Sequence, residues 1–503
     1  MKKSERQQLY GEVLRIWDEF SSDENPVESL NYLLAILLWR AASDRSENRR
    51  AYWLKRLGGD RAEAEKRLGW ERIRIPAGCG IQDQWTHFGA KDLGRWVNSM
   101  MIRIEEANGP LLTGLLTQLD FACERRLGAV RDRNERLRRM LEGLGGPLVD
   151  LGSGDVAGGD GWDETFAELV QMLLKRLSSQ VATLGRSFLT PPGVCRLVAK
   201  LLVPQKAHRI YDPTCGAGTL LWSLAQELDG LDCGLFGEER NGEVLLLCRL
   251  CLLLRGVDSF CGHQGDSLKG PGWVEGNKLK RFDVVVGHPP FSVDDWGREW
   301  AMEDPFGRFS WGLPPKSKGD YAFILHMIHR AEECSGRVGV IASRGVLFRK
   351  GSEAKIRRRL IEENLVDAVV FLPARVLGRS SVQGVILVFK RQRPYRDVLL
   401  INASGRKDEG AGTDCLTNRE MERIIAAYRE RSQVEGFSCR LSPEAIAAKE
   451  YSLEWDDHGR TDEVSDAIDR TSLCAEMDFL RSELEGVRRQ IEAKLGALSQ
   501  LSD

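Results

Sequence analysis

The 503-residue chain has no apolar run of the roughly 18 residues that a bilayer span needs; its longest apolar stretches, such as 33–38, soon meet polar residues. Its opening, MKKSERQQLYGEV, lacks the apolar core of a signal peptide. Cysteine is sparse, 12 residues scattered along the chain, which suits reduced thiols better than a disulfide framework. These absences predict a cytoplasmic protein with no membrane partner. Excess charge of one sign is missing too. Lys and Arg number 72 against 74 Asp and Glu, a formal charge of -2, which excludes a uniformly basic nucleic-acid binder and leaves room for local basic patches. One CxxC, Cys248 and Cys251, has Cys261 and His263 nearby and offers four potential zinc ligands. Both cysteines, however, sit inside LLLCRLCLLL and read as small apolar residues of a buried helix, so no metal site is expected.

What is present falls into segments. Residues 4–140 are predicted helical, with apolar residues three and four apart, most clearly at 30–39 and 111–121. The arginine-rich stretch 125–140 reads first as a solvated helix face and second as a phosphate-facing surface. A glycine-rich break follows, GLGGPLVDLGSGDVAGGDG at 143–161, and places a linker at 146–162 between a helical domain, 1–145, and a second domain, 163–460. A helix is predicted at 164–177. From about 195, strands are predicted at 208–211, 233–237, 260–263, 283–286, 338–341, 366–371 and 385–389. Helices are predicted between them at 219–228, 243–254, 321–333 and 353–363. This alternation indicates an α/β fold with a doubly wound, mostly parallel, Rossmann-like sheet, which binds ligands at the carboxyl ends of its strands. In the tail, 461–503, Leu473, Met477, Leu480, Leu484, Val487, Ile491, Leu498 and Leu501 follow a heptad rhythm, the signature of a coiled-coil helix that needs a partner.

The chemistry gathers at predicted strand ends. YDPTCGAGTL at 211–220 ends a strand and opens a helix. Gly216 and Gly218 permit a tight turn, and Asp212, next to Pro213, can accept from an ammonium or from water. The similar-looking VDLGSG at 149–154 has no strand before it and no acid at the right distance behind it, and reads as linker. Glu239, rather than its neighbour Glu238, ends the next strand where an acid would grip ribose hydroxyls. Asp266, in GDSL, follows the third strand and could meet an adenine amino group. FDVVVGHPPF at 282–291 then breaks a strand into a His288-Pro289-Pro290-Phe291 corner. The prolines remove two N–H donors and leave carbonyl acceptors. A flipped base could stack on Phe291 while its amino group donates to those carbonyls and to His288.

At these residues the chain resembles the modification subunit of type I restriction-modification systems, the adenine-N6 DNA methyltransferases. FLTP at 188–191 is similar to a cofactor-contacting F-Y-T-P segment, adding Phe188, Thr190 and Pro191 to the candidate site. DPTCGAGTL and GEERN match the family's cofactor loop and ribose segment, and WGLPPKSKGDYAF at 311–323 and EYSLEW at 450–455 are similar to segments further along. The resemblance implies S-adenosylmethionine as cofactor and DNA as substrate. It also implies a separate specificity subunit held through the C-terminal helix, a second copy of this chain, and a translocating restriction subunit that can join them. His288 stands where the family carries Asn. Two other readings stay open: a cofactor-binding scaffold without turnover, and methylation of RNA or of a protein glutamine.

Overall fold

The computed structural model describes residues 3–21, 25–82, 87, 89–145, 164–183, 189–205, 208–228, 234–377, 383–405 and 416–458. Nine strands form the main sheet: β1 (Arg209–Asp212), β2 (Gly234–Glu239), β3 (Phe260–Gln264), β4 (Val284–Gly287), β5 (Arg337–Ser343), β6 (Val366–Phe371), β7 (Gly384–Lys390), β8 (Val398–Asn402) and β9 (Ser438–Leu441). Their order is β3-β2-β1-β4-β5-β7-β6-β8-β9. Pairing is parallel except where β7 lies antiparallel between β5 and β6 and where β9 pairs with β8. The central strands are buried along their length, as Val284, Val285 and Val286 show at 0% exposure, so they read as continuous apolar runs without alternation. The chain runs outward from β1 in both directions, to β2 on one side and β4 on the other, and this switch point opens a crevice at the strands' carboxyl ends.

The helices that frame this crevice have local causes. α1 (Lys3–Phe20), α2 (Pro26–Arg56), α3 (Leu93–Ala107) and α4 (Val130–Gly145) belong to the N-terminal region, and α5 (Glu164–Thr183) follows it. α6 (Pro192–Leu202) starts with a proline in its first turn, a position whose N–H would have no partner in any case. α7 (Thr219–Gln226) springs from Gly218. α8 (Gly242–Leu254) is capped by Asn241, whose side chain accepts from the N–H of Glu243 and of Val244. The apolar residues of α8 cover its whole circumference because it is packed on two sides. Leu245, Cys248 and Leu252 belong to the core of the sheet, while Leu246, Leu247, Leu250 and Leu254 join a core built with α1 to α5. Beyond α8 lie α9 (Asp320–Arg330), α10 (Ser352–Glu362) and α11 (Asn418–Glu430).

The expected strands and helices of the sheet region are present, within a few residues of their predicted ends. β8, β9, α6 and α11 escaped sequence reading: β9, SCRL, carries little apolar signal and owes its conformation to pairing with β8. The helix expected at 111–121 is not formed. After the single turn Gly109–Leu112 the chain folds round Glu105, whose carboxylate accepts from the N–H of Gly114 (2.7 Å), Leu115 (3.2 Å), Leu116 (2.8 Å) and Thr117 (2.9 Å). Those side-chain bonds replace the helical ladder. In the arginine-rich segment Arg133 is buried against Asp92 and the carbonyl of Ala122, and Glu135 pairs with Arg138 and Arg139. Residues 1–454 form one compact unit; in a second, 455–503, only the short helix Trp455–His458 is described. The expected linker at 146–162 and the heptad tail lie outside the described residues.

Candidate active site

The crevice is a cleft of about 760 Å³ at the ends of β1, β2, β3 and β4. Of the predicted site residues, Thr190, Pro191, Asp212, Pro213, Gly216, Glu239, Asp266, His288, Pro289, Pro290 and Phe291 line it together. Gly218 sits just behind, at the start of α7, and Phe188 lies outside the described residues. Cys248 and Cys251 are wholly buried in α8, and the described residues contain no cluster of side chains suited to a metal ion.

One half of the cleft is acidic. Asp212 is buried (1% exposed), and its Oδ1 accepts from the Thr214 N–H at 2.8 Å. Its other oxygen, Oδ2, is buried with no hydrogen-bond partner. Burial pushes the carboxyl up to about 7, because the charged form loses its hydration. The loop beyond it depends on glycine. Gly216 and Gly218 have φ of 52° and 74°, and a Cβ on Gly218 would lie 2.8 Å from Cys248 Sγ. Glu239 accepts from the Asn241 N–H at 2.9 Å and borders the cleft, whereas Glu238 is fully buried on the other side of β2. Asp266 accepts from the N–H groups of Leu268 (3.0 Å) and Lys269 (3.2 Å), which shapes the turn after β3.

The other half is the proline corner. His288 Nδ1 lies 3.0 Å from Thr190 Oγ1, a contact that joins two segments nearly a hundred residues apart. The ring meets the Phe291 ring at 5.3 Å between centroids, tilted by 51°. Loss of hydration pushes the imidazole down to about 4, so at neutral pH it is uncharged and carries one acceptor nitrogen. Past Phe291 the chain turns through Ser292 at φ 52°, a left-handed conformation that side chains seldom adopt. The buried Asp320 holds that turn: its Oδ1 accepts from the Ser292 N–H at 3.2 Å, and Arg349 donates to its Oδ2 at 3.1 Å.

A buried network supports the floor of the cleft and was missed by sequence reasoning. Arg308, fully buried and paired with Asp304, donates to the carbonyls of Ser267 and Leu268 and to His326 Nδ1 at 2.8 Å. A guanidinium only donates, so the His326 proton is on Nε2 and points to Tyr211 Oη, 3.0 Å away. Tyr211 in turn donates to Glu238 at 2.8 Å. One arginine thereby ties the Asp266 turn to the strands that end in Asp212 and Glu239. The sequence held one usable signal: Glu238, His326 and Arg330 stand in or beside apolar runs, where charge is retained only with a partner.

Comparison with known proteins supplies the family. The N-6 DNA Methylase family matches residues 162–467, and the HsdM N-terminal domain family matches residues 9–144. Among curated relatives, the type I restriction enzyme MjaVII methylase subunit of Methanocaldococcus jannaschii is 29% identical over 307 residues, 58% of this chain and 52% of that protein. The MpnII methylase subunit of Mycoplasma pneumoniae is 25% identical over 343 residues, 65% of this chain and 63% of that protein. The chain thus spans less than two thirds of these relatives' lengths. In fold it is similar to the type I restriction-modification system methyltransferase subunit from Streptococcus thermophilus, with a TM-score of 0.74 at 23% identity over 90% of this chain and 100% of that one. With the family match extending over more than half of its length, the chain belongs to the N-6 DNA methylase family.

Proposed function

We propose that this chain is the methyltransferase subunit of a type I restriction-modification complex and methylates the N6 amino group of a flipped adenine in DNA. One observation carries this: the His-Pro-Pro-Phe corner and Asp212, a buried acid with one unpartnered oxygen, line the same cleft. The orphan Asp212 Oδ2 fits a cationic ligand, and the ammonium of S-adenosylmethionine would satisfy it. Glu239 would take the ribose hydroxyls, Asp266 the adenine amino group, and Thr190 and Pro191 would close the wall beside them. Bound there, S-adenosylmethionine would supply an electrophilic methyl group on sulfonium, with the sulfur as leaving group able to keep the carbon–sulfur electron pair.

The chain's residues act on the amine. An aromatic amino nitrogen is a weak nucleophile because its lone pair is delocalised into the ring. Acceptors that draw its protons out of that plane, His288 and the carbonyls of the proline corner, turn the lone pair toward the methyl donor. Phe291 offers a face on which the extruded base stacks. The help is orientation and preorganised electrostatics. The reacted nitrogen then sheds a proton to solvent. The partners that suit this role are DNA, a separate specificity subunit, a second copy of this chain and a translocating restriction subunit.

The test is transfer of radiolabelled methyl groups to DNA by the chain in complex with a specificity subunit, followed by base analysis. Label on adenine N6 is the expected result. A native complex that transfers none, beside a His288→Asn variant that does, would sink the proposal and leave a cofactor-binding scaffold. With S-adenosylmethionine saturating at every pH, the acid limb of the native profile should centre near 4 and not near 6.5, because His288 must be uncharged to accept.

A further inference from the structure

A neutral imidazole has one N–H and one lone pair, so His288 can accept from an amine only if its proton is on the nitrogen that faces away. Nδ1 is the nitrogen beside Thr190 Oγ1, at 3.0 Å. Nε2 meets no hydrogen-bonding group among the described residues, in a ring that borders the cleft. A free histidine side chain in water favours the opposite tautomer, with the proton on Nε2, which would set a donor against the donor amine. The site therefore needs a group that holds the proton on Nδ1, and a hydroxyl oxygen can do so.

Thr190 is well placed for that task. It is buried at 7% exposure, just before α6. Its carbonyl takes the Cys195 thiol at 3.5 Å, and the next carbonyl, of Pro191, takes the N–H groups of Val194 and Cys195 at 3.0 Å each. The hydroxyl is thus carried on fixed backbone. On the reading that the cleft methylates an amine, we propose that Thr190 is a positioning residue that sets the tautomer of His288: its Oγ1 accepts from Nδ1–H and leaves the Nε2 lone pair facing the substrate amino group. Burial leaves the ring uncharged at neutral pH, so the competition lies between two neutral tautomers. This device answers a need that an asparagine at the same position would not have, since an amide oxygen is an acceptor in every state.

Two measurements test it. In the full chain with 15N-labelled histidine, the His288 signals, assigned by their loss in His288→Asn, should show a protonated Nδ1. Thr190→Ser should keep that pattern, and Thr190→Val should move the proton to Nε2. In the complex, Thr190→Val should lower methyl transfer to DNA about 10- to 100-fold, by analogy with the cost of removing a group that orients a metal-bound imidazole, and Thr190→Ser should restore it. The loss should shrink in the His288→Asn background. An Nε2–H tautomer in the native chain, or an equal loss in both backgrounds, would overturn the proposal. A native complex that transfers no methyl group while the nitrogen signals follow Thr190 as stated would overturn the methyltransferase reading and leave the tautomer assignment standing.

Discussion

At the scale of single residues, Asp212 has the plainest consequence. Its carboxyl is raised from 3.8 to about 7 by burial, and one of its oxygens has no partner. A cationic ligand favours the ionised form and pulls the pKa down, so binding near neutral pH must release a proton. The sign follows: affinity for S-adenosylmethionine should rise as pH climbs through about 7 and fall again above about 8, where the ligand's own α-amino group loses its proton. Calorimetry in buffers of different ionisation heat would read the released proton directly, and a pH-independent affinity would contradict this role. Asp212→Asn should remove the rise through about 7 and cost about 1.5–3 kcal/mol, the range for a hydrogen bond to a charged group, or roughly 10- to 150-fold in Kd. The acid was legible in the sequence from its place before the glycine turn; its missing partner was not, because that depends on what the fold puts around it.

At the scale of elements, the turns at the strand ends are held from behind. Arg308 reaches from the segment after the proline corner to the carbonyls of the Asp266 turn and, through His326 and Tyr211, to β1 and β2. Arg308→Met would leave Asp304 uncompensated and those acceptors empty in a dry site. The expected loss is about 3–5 kcal/mol, as when one partner of a buried ion pair is removed, seen as a lower midpoint in denaturant. A change below about 1 kcal/mol would show that the pocket relaxes or admits water. Asp320 does similar service for the corner, since its carboxylate holds the left-handed Ser292. Asp320→Asn should therefore reduce turnover more than it weakens cofactor binding; the reverse split would mean that Asp320 serves the cofactor side.

On the scale of the whole molecule, the N-terminal helices are part of the fold that carries the site. α8 is apolar all round because it lies between the sheet and those helices. Polar bonds reinforce the junction: Asn31 donates to the carbonyl of Glu243, and Arg249 donates to those of Thr113 and Gly114. A chain lacking residues 1–145 would expose the outer face of α8, a patch that soluble proteins seldom leave open. It should aggregate or bind hydrophobic dyes, and calorimetry of the full chain should show a single transition for residues 1–454. Two separate transitions with a soluble sheet fragment would refute the shared core.

The sequence by itself determined the α/β class, most of the strand order along the chain and the residue types at each strand end. These are local properties: apolar runs of strand length, glycines where φ must be positive, prolines where N–H groups must be absent. It also pointed to Glu239 over Glu238, since a residue ending a strand faces the crevice and its neighbour faces away. The turn at 113–117 was beyond its reach, because Glu105 supplies from outside the segment what a helix would have supplied within it. So were the buried network of Arg308 and the meeting of Thr190 with His288. Hydrogen bonds between residues far apart in the chain leave no periodicity to read. Only the packed structure decides which donor faces which acceptor, and at His288 it brings Nδ1, of the two ring nitrogens, to the Thr190 hydroxyl.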